Sequence, residues 1–262
     1  LEFGAIAIPL IIICMVSVLI VIKLLIKKLK IPTRMAYLIS IGSTVCGTTA
    51  IMATAPVIGA KKNEVSYAIA NITLFGILSM LIYPYFANFY FNSDPLLIGL
   101  FLGTSIHETS QVAAAGLIYD QQFNSPETLN IATVTKLIRN TFLIIMIPLF
   151  AFLYNRGRDV EKKYSIITIF PYFVLGFVAM IIIRNLGDLT FSESNEWSFV
   201  VDSIKLSSKI FLTMAMAAIG LSTNLKEIRN MGVKPFVVGF IGMATVGVVC
   251  ISTIELYLKY FN

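Results

Sequence analysis

The chain has 262 residues, 57% of them hydrophobic and only 13% charged, with a mean hydropathy of +0.85 and a formal net charge of +6. No water-soluble globular domain hides that much hydrocarbon, so intrinsic disorder, a disulfide scaffold and a soluble enzyme are excluded and an integral membrane protein remains. The excess Lys and Arg lie in short clusters between apolar stretches, where they act as topology signals and do not point to nucleic acid.

Apolar stretches of about 20 residues recur along the chain and predict an all-α polytopic membrane bundle with about eight spans, residues 1–262 forming one membrane domain. In chain order the spans run roughly from Phe3 to Leu25, Met35 to Ile58, Val65 to Asn88, Leu96 to Tyr119, Leu129 to Phe152, Tyr164 to Ile183, Val200 to Leu221 and Pro235 to Leu258. Their continuous apolar character excludes a β-barrel, whose strands alternate. Leu1 to Ile22 reads as the body of a span and lacks the basic lead of a signal peptide. Lys27, Lys28, Lys30 and Arg34 follow the first span, Arg156, Arg158, Lys162 and Lys163 the fifth, and Lys226, Arg229 and Lys234 the seventh, which makes those three loops cytoplasmic. An even number of crossings then leaves both ends outside with the acidic loop from Asp188 to Glu196. Lys61 and Lys62 dissent, offset in part by Glu64.

The second span is a poor recipe for a straight lipid-facing helix, because it contains Gly42, Ser43, Thr44, Gly47, Thr48, Thr49, Thr54 and Pro56. A break at Gly47 to Ala50 would free backbone groups to line a polar site and aim a half-helix N-terminus at an anion. Close packing of helices would use the same small residues. The fourth span carries Glu108, Gln111 and His107, the one histidine in the chain. On a helix His107 and Gln111 are an i, i+4 pair facing a common cavity. A carboxylate at that depth is expensive unless neutralised or paired, so the group is either a proton-handling site or an interhelical hydrogen-bond cluster.

The fifth span carries Lys136 and Arg139 on one helical face, too deep for Arg139 to snorkel outward. Their expected partner is Glu108 or an anionic substrate, and two cations against one carboxylate leave a surplus charge suited to an oxyanion. An internal salt bridge with a snorkelling lysine is the alternative. Asn71, Thr73 and Asn140 are expected to bond between helices. Asp202, Lys205 and Lys209 are expected to anchor the seventh span at an interface. Gly42 to Ile51 (GSTVCGTTAI) and Gly103 to Val112 (GTSIHETSQV) align position by position, each followed by an apolar helix expected to end at a proline, Pro84 or Pro148, which reads as an internal repeat.

Enzyme signatures are missing: His107-Glu108 lacks the second histidine of a zincin, no Walker sequence occurs, and no metal or cofactor is implied. Cys14, Cys46 and Cys250 all fall in apolar spans and make no disulfide framework.

Gly42 to Ile58 (GSTVCGTTAIMATAPVI), Glu64 to Pro84, Gly103 to Gly116 (GTSIHETSQVAAAG), Lys136 to Arg139 (KLIR) and Phe211 to Leu221 resemble, in order, the YeiH-like family of proposed sulfate exporters. Cys46 to Pro84 is more weakly similar to the crossover region of bile acid:sodium symporters. The resemblance implies an inverted-repeat transporter fold with discontinuous crossover helices, a bacterial plasma (inner) membrane location, and further spans before Phe3, so that this chain is truncated relative to the family. The resulting expectation is a secondary transporter exporting a small inorganic or sulfonate-like anion, coupled to protons. Lys136, Arg139, Gly47, Thr48, Thr49, Ala50 and Gln111 would bind substrate, and His107 with Glu108 would carry the proton. A sodium-coupled organic-anion symporter and a non-transporting sensor or scaffold are the alternatives. The partners are a small anion and the lipid bilayer, with self-association left open.

Overall fold

A computed structural model describes residues 2–155, 172–191, 194–222 and 233–261. Regular structure among them is entirely α-helical: α1 (Glu2–Leu29), α2 (Thr33–Thr44), α3 (Thr48–Thr54), α4 (Lys62–Tyr90), α5 (Pro95–Ser105), α6 (Thr109–Phe123), α7 (Pro126–Thr141), α8 (Leu143–Asn155), α9 (Tyr172–Thr190), α10 (Asn195–Ser222) and α11 (Val233–Phe261). Six of the eleven cations on which the expected orientation rests, Arg156, Arg158, Lys162, Lys163, Lys226 and Arg229, lie outside the described residues.

Among the described residues the expected eight spans are not what the chain builds, and the start of the expected sixth, from Tyr164, lies outside them. Among the described residues three helices are long and apolar enough to cross a membrane, Ile6–Leu29, Lys62–Tyr90 and Val233–Lys259, and a fourth crossing is reached only if Pro126–Thr141 and Leu143–Tyr154, bent by 40°, count as one. Hydropathy measures apolar length and not helical continuity. The second and fourth expected spans are each two short helices, α2 with α3 and α5 with α6, and the inverted-repeat fold built on eight spans falls with the count. Pro84 and Pro148 lie inside α4 and α8 and do not end them. Within a membrane protein neighbouring groups can re-satisfy the carbonyl that each proline leaves without its N–H.

The chain divides into two compact units, residues 1–169 with 224–262, and residues 170–223. In the first, α1 packs along α11. Leu10, Cys14, Val18 and Ile22 on α1 meet Val238, Val246, Cys250 and Ile254 on α11 in one apolar core, and their spacing of four or eight is a single helical stripe. The other side of α1 leaves Ile8, Ile12, Ile20 and Leu24 exposed, hydrocarbon that suits lipid contact. Asn71 Nδ2 donates to Pro235 O at 2.8 Å and ties α4 to α11.

Helix ends follow local chemistry. The Glu64 carboxylate accepts from the Lys61 N–H at 2.7 Å at the start of α4. Asp94 accepts from the N–H groups of Leu96 (2.8 Å) and Leu97 (3.1 Å), with Pro95 at the first position of α5. Asn124, left-handed at φ 53°, ends α6, and Pro126 opens α7. This tight turn lays α7 back against α6, and α5 packs on α7 as well.

The second unit holds α9 and α10. Asp188 accepts from Arg184 Nε at 2.7 Å and from Trp197 Nε1 at 2.8 Å, while Lys205 and Asp202 form an exposed pair at 3.1 Å. The bonds from Trp197 and then Arg184 hold the Asp188 carboxyl below its ordinary value. A depressed folded value means that the contact is intact above the ordinary aspartate pKa and lost only as the pH falls through the lower one. Trp197 is the single tryptophan of these residues. Its emission, followed in this chain, is therefore expected to stay constant down to about pH 4 and shift only below it, and the step is expected to vanish in Asp188→Asn. A transition above that pH would exclude the contact.

Candidate functional site

The two aligned decapeptides break at the same place. Helices α2 and α5 end at Thr44 and Ser105, and α3 and α6 begin at Thr48 and Thr109, so Val45–Gly47 and Ile106–Glu108 are equivalent non-helical triplets. Gly47 makes the first break. It sits at φ 58°, where a side chain is strained, and its N–H closes the last turn of α2 on Gly42 O at 3.0 Å while its carbonyl accepts from Ile51 N at 3.2 Å to start α3. A Cβ on Gly47 would lie 3.6 Å from both His107 O and Glu108 Cβ, so the two breaks touch there.

A broken helix leaves its last carbonyls without partners, and in a membrane interior each such group is costly. Helix α7 supplies the partners. Its buried face carries Thr128, Ala132, Thr135, Lys136 and Arg139. Lys136 Nζ donates to the carbonyls of Val45 (2.9 Å), Ile106 (2.9 Å) and His107 (2.6 Å). Arg139 donates from Nε and Nη2 to Thr44 O (3.0 and 2.8 Å), from Nη2 to Ser43 O (2.9 Å) and from Nη1 to Thr104 O. Each cation thus bridges both breaks at the negative ends of α2 and α5, and Val45 and Ile106 are matching positions of the repeat. Lys136 is 0% and Arg139 1% exposed.

The carboxylate takes the opposite pole. Glu108, the residue before α6, accepts from Thr48 Oγ1 at the first position of α3, which places its charge by the positive ends of two helices. The expected pairing of Glu108 with Lys136 or Arg139 is therefore replaced by two separate charge–dipole matches. His107 and Glu108 lie in the break itself, so the helical i, i+4 relation expected between His107 and Gln111 does not arise. Of the other expected residues, Ala50 is buried, Thr49 is exposed, and Gln111 donates from Nε2 to Thr73 O at 3.2 Å. Asn140 Nδ2 donates to Thr109 Oγ1 at 3.0 Å, joining α7 to α6.

Several buried atoms at the breaks have no protein partner: both ring nitrogens of His107, Glu108 Oε2, Ser110 Oγ, Gln111 Oε1, Thr104 Oγ1 and Ser43 Oγ. His107 is only 1% exposed. The Glu108 side chain makes no capping bond to the first amides of α6. The sequence does not single out Ser110, Thr104 and Ser43 as ligands, although their places in the repeat flank the breaks. Among the described residues no three His, Cys, Asp or Glu side chains gather to hold a metal ion.

A family described as conserved hypothetical protein 698 matches residues 1–239. A UPF0324 membrane protein of Fusobacterium nucleatum is 36% identical over 249 residues, covering 92% of this chain and 71% of that protein. One from Streptococcus agalactiae is 37% identical over 240 residues (91% and 70%), and one from Streptococcus pyogenes 36% over 256 residues (96% and 74%). No solved structure matches the chain. With three membrane-length helices among its described residues and these bacterial relatives, the chain belongs to the UPF0324 family of membrane proteins and is a multi-pass protein of the bacterial inner membrane.

Proposed function

We propose that the chain is a secondary active transporter that exports a small oxyanion, sulfate or a sulfonate-like compound, in exchange for protons, as its resemblance to the YeiH-like family implies. The observation that carries the reading is the set of unpartnered buried atoms of His107 and Ser110 beside the uncapped amides of α6, in a region where Lys136 and Arg139 outnumber Glu108. An imidazole N–H, a hydroxyl and helix N-terminal amides are oxyanion donors, and a surplus positive charge in a low dielectric draws an anion to them. Lys136 and Arg139 supply field and hold the breaks in place, since their N–H groups are already engaged by carbonyls. Thr48 and Gly47 position Glu108, whose second oxygen, with the His107 ring, is left to exchange the coupling proton. Discontinuous helices around buried unpartnered groups also speak against a pure scaffold, whose polar residues would be satisfied within continuous rods.

The test uses the complete protein in proteoliposomes loaded with labelled sulfate. Efflux is expected to follow an imposed proton gradient and to collapse with it. Replacing His107 and Ser110 together by alanine is expected to slow efflux about tenfold or more, the worth of a lost hydrogen bond to a charged ligand, with little change in unfolding temperature. Efflux equal to that of empty liposomes, or a variant as fast as the parent, would overturn the proposal. Variants at Lys136 and Arg139 are poorer probes of the anion, because they also release the helix ends.

A further inference from the structure

The three oxygens around Lys136 Nζ have a chemistry of their own. Val45 O, Ile106 O and His107 O are backbone carbonyls freed by helix breaks, two of them at matching repeat positions, and they converge on one point 2.6–2.9 Å away. They carry the negative ends of α2 and α5, and all is buried. Carbonyls at broken helix ends are how proteins replace the hydration shell of a dehydrated monovalent cation. Here each of the three N–H donors of an ammonium meets one oxygen, and an ammonium is close to potassium in size.

We propose that Val45 O, Ile106 O and His107 O form a monovalent-cation site that this chain fills with its own Lys136 ammonium, so that it works without an alkali cation and accepts one when the side chain is removed. The charge count supports this. Without Lys136 the crossing retains Arg139 against Glu108 and keeps three carbonyl dipoles pointing at one spot, a focus of negative potential that a small cation relieves. In the proposed transporter this resident positive charge takes the place of a coupling alkali cation at these carbonyls, which fits coupling to protons. That half of the inference rests on the transport reading, whereas the site itself does not.

The experiment therefore reads stability and needs no substrate. Thermal unfolding of the complete protein and its Lys136→Ala variant is followed in detergent in sodium, potassium, methylammonium and choline chloride at equal ionic strength. Choline, a bulky quaternary ion without N–H groups, is the cation that cannot enter. The parent is expected to unfold at one temperature in all four salts. Lys136→Ala is expected to be destabilised in choline and to regain most of the loss, saturably, with methylammonium or an alkali ion. Lys136→Ser, which leaves room for the ion and adds a hydroxyl oxygen beside it, is expected to fold more readily and to respond in the same direction. Equal unfolding temperatures of the variants in all four salts would overturn the site, as would a parent stabilised by sodium. Should Lys136→Ala fail to fold even with methylammonium throughout purification, a flat response of Lys136→Ser decides against it. Sulfate efflux that fails while the cation response holds would remove the transport reading and leave the site.

Discussion

Arg139→Leu is expected to lower the unfolding temperature of the complete protein in detergent by on the order of 10 °C, following the usual cost of about 3–5 kcal/mol for breaking a buried charged network. The guanidinium makes four hydrogen bonds, to Ser43 O, to Thr44 O twice and to Thr104 O. Leucine fills much of the volume but leaves those carbonyls unpartnered in a medium without water. Arg139→Lys is expected to recover only part of the loss. The planar fork spreads four bonds over Ser43 O, Thr44 O and Thr104 O, whereas an ammonium offers three donors from a single point, as Lys136 does a turn away. If Arg139→Leu unfolded within about 2 °C of the parent, less than a typical 1 kcal/mol change for a chain of this size, the guanidinium would not be what closes the helix ends.

How far the sequence foretells this arrangement depends on which physical quantity carries each feature. A break near Gly47 is legible because Gly, Pro and hydroxyl residues crowd one apolar stretch, although it falls at Val45–Gly47 and not at the expected Gly47 to Ala50, whose last three residues open α3; the second break is legible only through the alignment of Gly103 to Val112 with Gly42 to Ile51. Hydropathy cannot see either, since Val45, Cys46 and Ile106 are apolar and the window runs through them. The burial of Lys136 and Arg139 follows from their depth in a hydrophobic stretch. Their partners do not. A sequence shows side chains, so Glu108 or an anion is the natural partner to infer, yet the acceptors are main-chain oxygens that exist only because two helices stop nearby. With the breaks placed, the rule that cations favour helix C-termini and carboxylates N-termini assigns Lys136 and Arg139 to α2 and α5, and Glu108 to α3 and α6.

The approach of α7 to the breaks depends on glycine, and Gly103→Val is expected to be as damaging as the loss of Arg139. A Cβ on Gly103 would lie 2.5 Å from Ala132 O and 2.6 Å from Thr135 Cβ. The first is backbone on a packed helix and cannot swing aside, so α5 must move away from α7. One turn earlier a Cβ on Gly99 would meet Ile131 Cβ at 2.6 Å, which makes Gly99 and Gly103 a GxxxG contact surface. Backing α5 off carries Thr104 O and Ile106 O with it, the oxygens that Arg139 and Lys136 hold. Gly103→Ala is expected to cost about 1–3 kcal/mol as overpacking and Gly103→Val more. Gly176→Ala in α9, where nothing lies within 4 Å of the added carbon, serves as the control and is expected to be neutral or stabilising. The combination with Arg139→Lys separates simple crowding from loss of the bonds at the helix ends. Crowding alone adds to the cost of the lysine. If Gly103 matters because it lets α7 reach the breaks, the double variant loses less than the sum, since both changes break the same bond to Thr104.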